Sequence, residues 1–280
     1  MTNPPGSFIW YELMTPDPAA SKAFYNTVVG WTVEAQSSVP ADSAAVTAVD
    51  YRMIGRRDGG NAGGMLKLDD AMQAHGARPM WLGYLYVPDV DVTVAAITAD
   101  GGKVLMPPHD APGIGRFAMV TDPVGVPFYL MKPIPPADKP DAASDVFSVD
   151  QPQHVRWNEL ATTDPDGAVA FFARHFGWAQ QGDMDMPVLS KVEGGPMGKY
   201  RFWQHGGVGI GAVMTKPPQM PLSAWTYYIG VDDIDRAVAA VTAGGGTIHH
   251  GPVEIPGGEY SLSGTDPQGA AFGLVGPRKS

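Results

Sequence analysis

Phe8-Ile9-Trp10-Tyr11-Glu12-Leu13, followed by Thr15, Asp17-Pro18, an Ala-rich run, Phe24-Tyr25 and Gly30-Trp31, is written twice in this chain. It returns as Val155-Arg156-Trp157-Asn158-Glu159-Leu160, Thr162, Asp164-Pro165, Phe171-Phe172 and Gly177-Trp178, with Trp10 to Trp157, Glu12 to Glu159 and Trp31 to Trp178 each 147 residues apart. The second halves repeat at a spacing of 144: Trp81, Tyr84, Asp91, Asp122-Pro123, Gly125, Phe128 and Leu130 become Trp225, Tyr228, Asp235, Asp266-Pro267, Gly269, Phe272 and Leu274. The slip of three places the length change in one loop ahead of Trp81 and Trp225. A solenoid repeats every ~20–50 residues. Copies this long are domain-sized. The sequence therefore divides into a first module, 1–133, a Pro/Ala/Asp-rich linker, 134–154, and a second module, 155–280.

Within each copy the local signals agree. Phe8 to Met14 is short and apolar with one charge, as a half-buried strand is. Asp17-Pro18 and Asp164-Pro165 pair an N-cap with proline at the first helical position, where the missing N–H removes no bond. Gly30 and Gly177 supply left-handed helix stops. Strands are predicted at 50–54, 63–68, 80–87, 116–121 and 126–131 in the first module, with 199–204, 209–215 and 225–231 matching in the second. Each module thus reads as βαβββ twice over, an α+β fold.

Composition bounds the partners. The 280 residues, 44% hydrophobic, suffice for two cores. A net charge of −10 and the lack of a basic run argue against a nucleic-acid partner. With no cysteine there are no disulfides, thiolate metal ligands or Cys nucleophile. The start has no signal-peptide pattern, and no run reaches the ~18 apolar residues of a membrane span. A cytoplasmic protein without membrane contact is expected.

Taken together, the strand leading into Asp, the helix carrying Phe-Tyr and ending in Gly, the Val-x-Asp-Val-Asp stretch, the Gly-Gly stop and the Asp-Pro-x-Gly turn resemble the vicinal oxygen chelate superfamily. That group includes glyoxalase I, bleomycin-resistance proteins and extradiol dioxygenases. The resemblance covers nearly the whole chain outside the linker. It implies two tandem glyoxalase-like domains of paired βαβββ units with curved mixed sheets. The Trp-x-Glu-Leu-x-Thr opening is most similar to tandem bacterial glyoxalase-like proteins.

Metal-using members of the superfamily place His, His or Glu, and Glu on the first strand, the strand before the second helix and the last strand. Such a set leaves open positions that polarise substrate oxygens or bind O₂. Here those slots fall on Trp10, Leu82 and Tyr129 in the first module and on Trp157, Thr226 and Gly273 in the second. None is a His or a carboxylate. No cofactor is expected, with a divalent metal kept as the alternative. The histidines offer little: His249-His250 face opposite sides of a strand, and His75, His154, His175 and His205 read as solvated. His109, ahead of Pro112-Gly113, is the one kept as a candidate.

Glu12 and Glu159 are the candidate catalytic residues. By strand alternation each carboxylate shares a face with its neighbouring Trp, where an unpartnered ionised group is costly. One reading makes each Glu a structural acceptor for backbone groups or an Arg. The other makes it a general base whose pKa is raised by desolvation. Trp10 and Trp157 either pack the core or line a ligand site. Further inward candidates are Tyr51 or Met53, Tyr200 or Phe202, Tyr84, Tyr228 and Tyr129, a set suited to an apolar or aromatic small molecule. Gly207-Val208-Gly209-Ile210-Gly211-Ala212 fits the dinucleotide fingerprint, but Pro217-Pro218 follow in place of a phosphate-cradling helix, so it reads as a hairpin.

Three functions compete: metal-free binding of a small, largely apolar ligand in one or both module cavities; a metal-dependent lyase, isomerase or dioxygenase; and a non-catalytic interaction protein with plugged cavities. A monomer with an internal pseudo-dimer, or a homodimer, is expected.

Overall fold

The computed structural model describes residues 3–38, 49–135, 137, 139, 141–186 and 198–279. The first module runs β1 (Phe8–Thr15), α1 (Pro18–Val28), β2 (Thr32–Val33), β3 (Tyr51–Gly55), β4 (Asn61–Lys67), α2 (Asp70–Ala74), β5 (Met80–Tyr86), α3 (Val90–Ala99), β6 (Val104–Ala111), β7 (Gly115–Thr121) and β8 (Pro127–Pro133). The second runs β9 (Val155–Thr162), α4 (Pro165–Phe176), β10 (Ala179–Asp185), β11 (Lys199–His205), β12 (Val208–Thr215), β13 (Ala224–Gly230), α5 (Ile234–Ala243), β14 (Thr247–Glu254), β15 (Tyr260–Thr265) and β16 (Ala271–Gly276). Each module is an eight-stranded curved mixed sheet, ordered β2-β3-β4-β1-β5-β8-β7-β6 in the first and β10-β11-β12-β9-β13-β16-β15-β14 in the second. Pairings such as β5 with β8 and β12 with β9 are parallel, while hairpins such as β7 with β8 are antiparallel. This is the α+β architecture expected from the repeat.

The helix signals act as read. The Asp17 carboxylate accepts from Ala19 N and Ala20 N, and Asp164 accepts from Gly167 N. Gly177 closes α4 at φ 69°. The glycine fingerprint is a hairpin, with β12 beginning at Val208 after a turn at Gly206-Gly207. Among the described residues no helix is long and apolar enough to cross a membrane.

Compact packing does not follow the two copies. One unit joins residues 84–143 to 157–225, together with the N-terminal residues up to Ser7, and the other joins 8–83 and 144–156 to 226–280. In the second of these, α1 from the first copy lies on the last strands of the second copy. Phe24 meets Phe272 at 5.7 Å between ring centroids, Ser21 Oγ donates to Gln268 Oε1, and Tyr25 Oη donates to Asp266 Oδ2 at 3.1 Å. A Cβ at Gly244 or Gly246 would stand under 3 Å from the Phe24 ring, which accounts for the glycines at the stop of α5. In the same unit Tyr227 Oη accepts from the buried Gly83 N at 2.8 Å.

The other unit has the reciprocal arrangement. Phe171, Phe172 and Phe176 of α4 surround Phe128 of the first copy, with centroids 5.7–6.4 Å away. Trp178 Nε1 donates to Gly6 O at 2.9 Å.

Residues 144–156, partly assigned to the linker, pack within the unit that also holds 8–83. The buried Arg56 guanidinium forks onto Asp145, Trp31 Nε1 donates to Gln153 O, and Ser144 Oγ donates to Ile9 O. The linker residues 136, 138 and 140 lie outside the described residues. The histidines read as solvated divide. His154 is buried with Nδ1 against Pro152 O, and His175 is enclosed and paired with Asp100 at 2.9 Å. His205 is half-buried among backbone carbonyls, and that desolvation lowers its pKa.

The duplicated Asp-Pro-x-Gly turns explain a buried charge. Asp122 Oδ1 accepts from Val124 N and Val126 N, as Asp266 Oδ1 does from Gln268 N and Ala270 N. Burial pushes the Asp122 carboxyl up to about 6 against these bonds. The pKa of Asp266 is also raised by burial, but Tyr25 donates to it. By the repeat, Tyr25 corresponds to Phe172, which has no hydroxyl to offer Asp122. A raised carboxyl pKa favours folding below the unfolded value, and this contribution is lost as pH climbs through the folded one. The wild type should therefore lose about 1–3 kcal/mol between about pH 4 and 6 relative to Asp122→Asn, which keeps the acceptor oxygen, in urea unfolding across that range. Phe172→Tyr, which rebuilds the Tyr25 contact, is expected to raise stability at pH 7 by about 1 kcal/mol in the same assay. Tyr227→Phe should cost about 1–3 kcal/mol by stranding Gly83 N.

Candidate functional site

Strand alternation sorts the candidates by face. On β1, Tyr11 and Leu13 are fully buried, and Tyr11 packs edge-on against Tyr227. Trp10, Glu12 and Met14 take the other face. There Trp10 Nε1 donates to Tyr51 Oη at 2.7 Å, and Tyr51 in turn donates to Glu12, whose side chain is buried. β3 supplies Tyr51 over Gly64 of β4, where a Cβ would lie 2.1 Å from the phenol oxygen. Gly64 is the Cα partner of Glu12 as well, so the missing side chain opens the route from Tyr51 to the carboxylate. Met53 shares the Tyr51 face, paired with Gly64.

The second copy repeats the chain of donors within the other unit. Trp157 Nε1 donates to Tyr200 Oη at 2.8 Å, and Tyr200 Oη donates to Glu159 Oε2 at 2.7 Å. Phe202 stands edge-on to both rings, 6.2 Å from Trp157 and 5.8 Å from Tyr200. Tyr200 and Met220 pack on a cluster of Ala161, Met186 and Met214, giving this face a polarizable apolar floor. Sequence reading offered Tyr51 or Met53, and Tyr200 or Phe202. In each pair it is the tyrosine that links Trp to Glu.

Electrostatics fix the direction of the relay. Burial first, and then the Glu12 charge, hold the Tyr51 phenol well above its usual pKa. It stays protonated at neutral pH and serves as a permanent donor. The indole N–H groups of Trp10 and Trp157 are thereby engaged. A carboxylate held by a phenol is a fixed acceptor, able to orient a hydroxyl on a bound molecule.

The remaining candidates form other sets. Tyr84 and Tyr129 are buried and stacked, 4.1 Å apart and 13° from parallel. Phe117 lies 6.3–6.4 Å from both, and the half-buried His109 ring sits edge-on to Phe117 at 4.1 Å, with Nδ1 near Pro107 O. In the second copy the Tyr228 ring lies over Gly273, where a Cβ would come within 2.4 Å. Sequence reading missed Phe117 and the three methionines. The counterpart of Phe117 is Ser261, so comparing the copies hid it.

The superfamily's metal finds no matching donor set. The slots hold Trp10, Leu82, Tyr129, Trp157, Thr226 and Gly273, and among the described residues no group of three His, Asp or Glu could hold a metal ion. Trp10 and Trp157 spend their only polar hydrogen on tyrosines.

The Glyoxalase/Bleomycin resistance protein/Dioxygenase superfamily model matches residues 7–130 and again 151–274. The chain belongs to that superfamily. It is similar to CFP32 of Mycobacterium bovis, provisionally named a glyoxylase, with 30% identity over 96% of this chain and 94% of the relative. It is also similar to the anthracycline biosynthesis protein DauV of Streptomyces sp. strain C5, with 27% identity over 99% and 95% of the two chains. Among solved structures, the Mn(II)-bound glyoxalase from Novosphingobium aromaticivorans superimposes with a TM-score of 0.59 at 17% identity, covering 99% of this chain and 83% of that one. At that identity the likeness bears on the fold alone.

Tyr200→Phe should leave Trp157 Nε1 without its acceptor and Glu159 without this donor, at a cost of about 1–3 kcal/mol. Glu159→Gln retains an acceptor oxygen for Tyr200 and should cost less. Paired denaturation curves check the order.

Proposed function

We propose that this superfamily member binds a small, largely apolar organic molecule against its Trp–Tyr–Glu faces, independently of the superfamily's usual divalent metal. The single observation that carries this reading is the same donor chain in both copies, with an indole as the flat surface and a buried or half-buried carboxylate as the polar handle. Its placement on the strand that would supply a metal ligand replaces ion coordination by ring stacking and hydrogen bonding. Glu12 and Glu159 orient the ligand through an acceptor oxygen. The relative named for anthracycline biosynthesis supports a planar, polycyclic aromatic ligand.

The test is binding of alizarin, a planar dihydroxyanthraquinone, followed by quenching of tryptophan fluorescence before and after dialysis against a chelator. Affinity should be unchanged by chelation and should fall about tenfold or more in Trp157→Ala, the loss of one stacking partner. Stoichiometric transition metal in protein purified without chelator, together with binding that disappears on its removal, would overturn the reading in favour of a metal-dependent lyase, isomerase or dioxygenase.

A further inference from the structure

The segment entering the first strand of each copy is repeated too, and it diverges at a position that the backbone constrains. Pro4-Pro5-Gly6-Ser7 becomes Gln151-Pro152-Gln153-His154 at the same spacing of 147. Both stretches are held alike. Gly6 N donates to Tyr86 O and Ser7 O accepts from Tyr86 N, just as Gln153 N donates to Gly230 O and His154 O accepts from Gly230 N. Trp178 Nε1 donates to Gly6 O, and Trp31 Nε1 to Gln153 O. The shared geometry sets Gly6 at φ 90° and Gln153 at φ 64°, so that Gln153 is, among the described residues, the one non-glycine in the left-handed region. Glycine takes that conformation without steric penalty, and glutamine does not.

The Gln153 side chain offsets this strain by holding a loop that is longer than its counterpart. Tyr51 to Gly64 spans two residues more than Tyr200 to Gly211, in the hairpin loop that carries Arg57 and Asp58. Gln153 Oε1 accepts from Arg57 N at 2.8 Å, and Nε2 donates to Gly30 O at the stop of α1. Arg57 lies over Gly30, where a Cβ would stand 2.8 Å from Nη2. The result is a half-open cleft of about 180 Å³ whose lining includes Arg57, Asp58, Gln153, His154 and Asp232, all within one compact unit. That is room for about six waters.

The charges in the cleft are unevenly matched. Arg56 Nε holds Asp58, whose Oδ1 also accepts from Gly60 N, and Arg236 donates twice to Asp232 Oδ1. Among the described residues the Arg57 guanidinium has no hydrogen-bond or ion-pair partner. The buried His154 sets Nδ1 2.9 Å from Pro152 O, a carbonyl that can only accept, so Nδ1 carries the hydrogen and Nε2 of the neutral ring presents a lone pair. Nε2 stands 3.9 Å from Asp58 Oδ2, two acceptors with a gap that one donor group can bridge. Among the described residues these side chains form no metal-holding group.

We propose that this cleft is a binding site separate from the Trp–Tyr–Glu faces, and that it takes a small aminocarboxylate. Its carboxylate pairs with Arg57, and its ammonium bridges His154 Nε2 and Asp58 Oδ2. The equivalent place in the other unit is built differently: Gly6 replaces Gln153, the hairpin loop is shorter, and His205 lies among the Pro4, Pro5 and Gly177 backbone groups. The assignment is independent of the metal-free reading above.

Each indole N–H gives its own signal in a proton–nitrogen correlation spectrum. Trp31 and Trp178 are therefore matched reporters, one bonded to Gln153 O and the other to Gly6 O. The full chain is titrated with glycine, β-alanine and γ-aminobutyrate, which hold the two charges progressively further apart, and with acetate and methylammonium as single-charge controls. At least one aminocarboxylate should shift the Trp31 signal saturably, leave Trp178 in place, and bind about tenfold or more tighter than either control. Arg57→Ala, which removes an exposed side chain and leaves the folded spectrum intact, should weaken that binding about tenfold or more. The assignment is overturned by no saturable shift from any of the three up to about 100 mM. Equal movement of both indoles, acetate binding as tightly as the aminocarboxylates, or unchanged affinity in Arg57→Ala overturns it as well.

Discussion

A helix from one copy must cover the sheet end of the other, and the rest of the molecule is arranged around that requirement. α1 and α4 each carry two adjacent aromatic residues, and these meet Phe272 and Phe128 on the last strand of the opposite copy. The aromatic area removed from water drives the exchange, while a buried Asp in the adjoining turn ties down the chain entering that strand. Each half of a copy shares its core with a half of the other copy. The duplication therefore has a structural consequence: each compact unit is completed only by sequence from both copies.

With helices covering one face of the strands, the opposite face is left to polar and aromatic side chains. This is where Trp10 with Glu12, and Trp157 with Glu159, fall by alternation. A lone carboxylate there would be expensive to desolvate. Tyr51 and Tyr200 offset that cost by donation, and each tyrosine is fixed in turn by an indole N–H. The three residue types form one unit, since removing the middle member strips an acceptor from the Trp and a donor from the Glu. Each glutamate thus accepts from the tyrosine of the neighbouring hairpin.

Much of the fold was legible in the sequence because its signals are local. Asp-Pro caps, Gly stops and Asp-Pro-x-Gly turns act within a few residues and each occurs twice. The Trp and Glu faces followed from period-two alternation. Choosing Tyr51 over Met53 was harder, because both lie on one face and Gly64 on the neighbouring strand decides which side chain reaches Glu12. The burial of His154 and His175 is not local, since His154 lies beside Asp58 and His175 pairs with Asp100. The mosaic packing did leave a trace, although not one visible by aligning the copies. Ser21 and Gln268 bond to each other, while their counterparts Ala168 and Val124 are both apolar; Tyr25 and Asp266 bond, while Phe172 offers Asp122 no hydroxyl.

These paired differences show how a duplicated chain diverges. One contact that closes a unit changes in both partners, Ser21–Gln268 against Ala168–Val124, whereas Tyr25 becomes Phe172 while its aspartate partner is kept as Asp122. Positions on the face away from the helices obey no such pairing. Tyr129 and Gly273, Met119 and Ser263, and Phe117 and Ser261 differ in bulk and polarity, while the strands beneath them keep the same register. The core retained its aromatic pairs, and the first-strand Trp and Glu were kept in both copies with their tyrosines. The last strands became different surfaces, one filled by stacked rings and the other cleared to glycine and serine. Two originally equal modules can in this way share one architecture while presenting different surfaces.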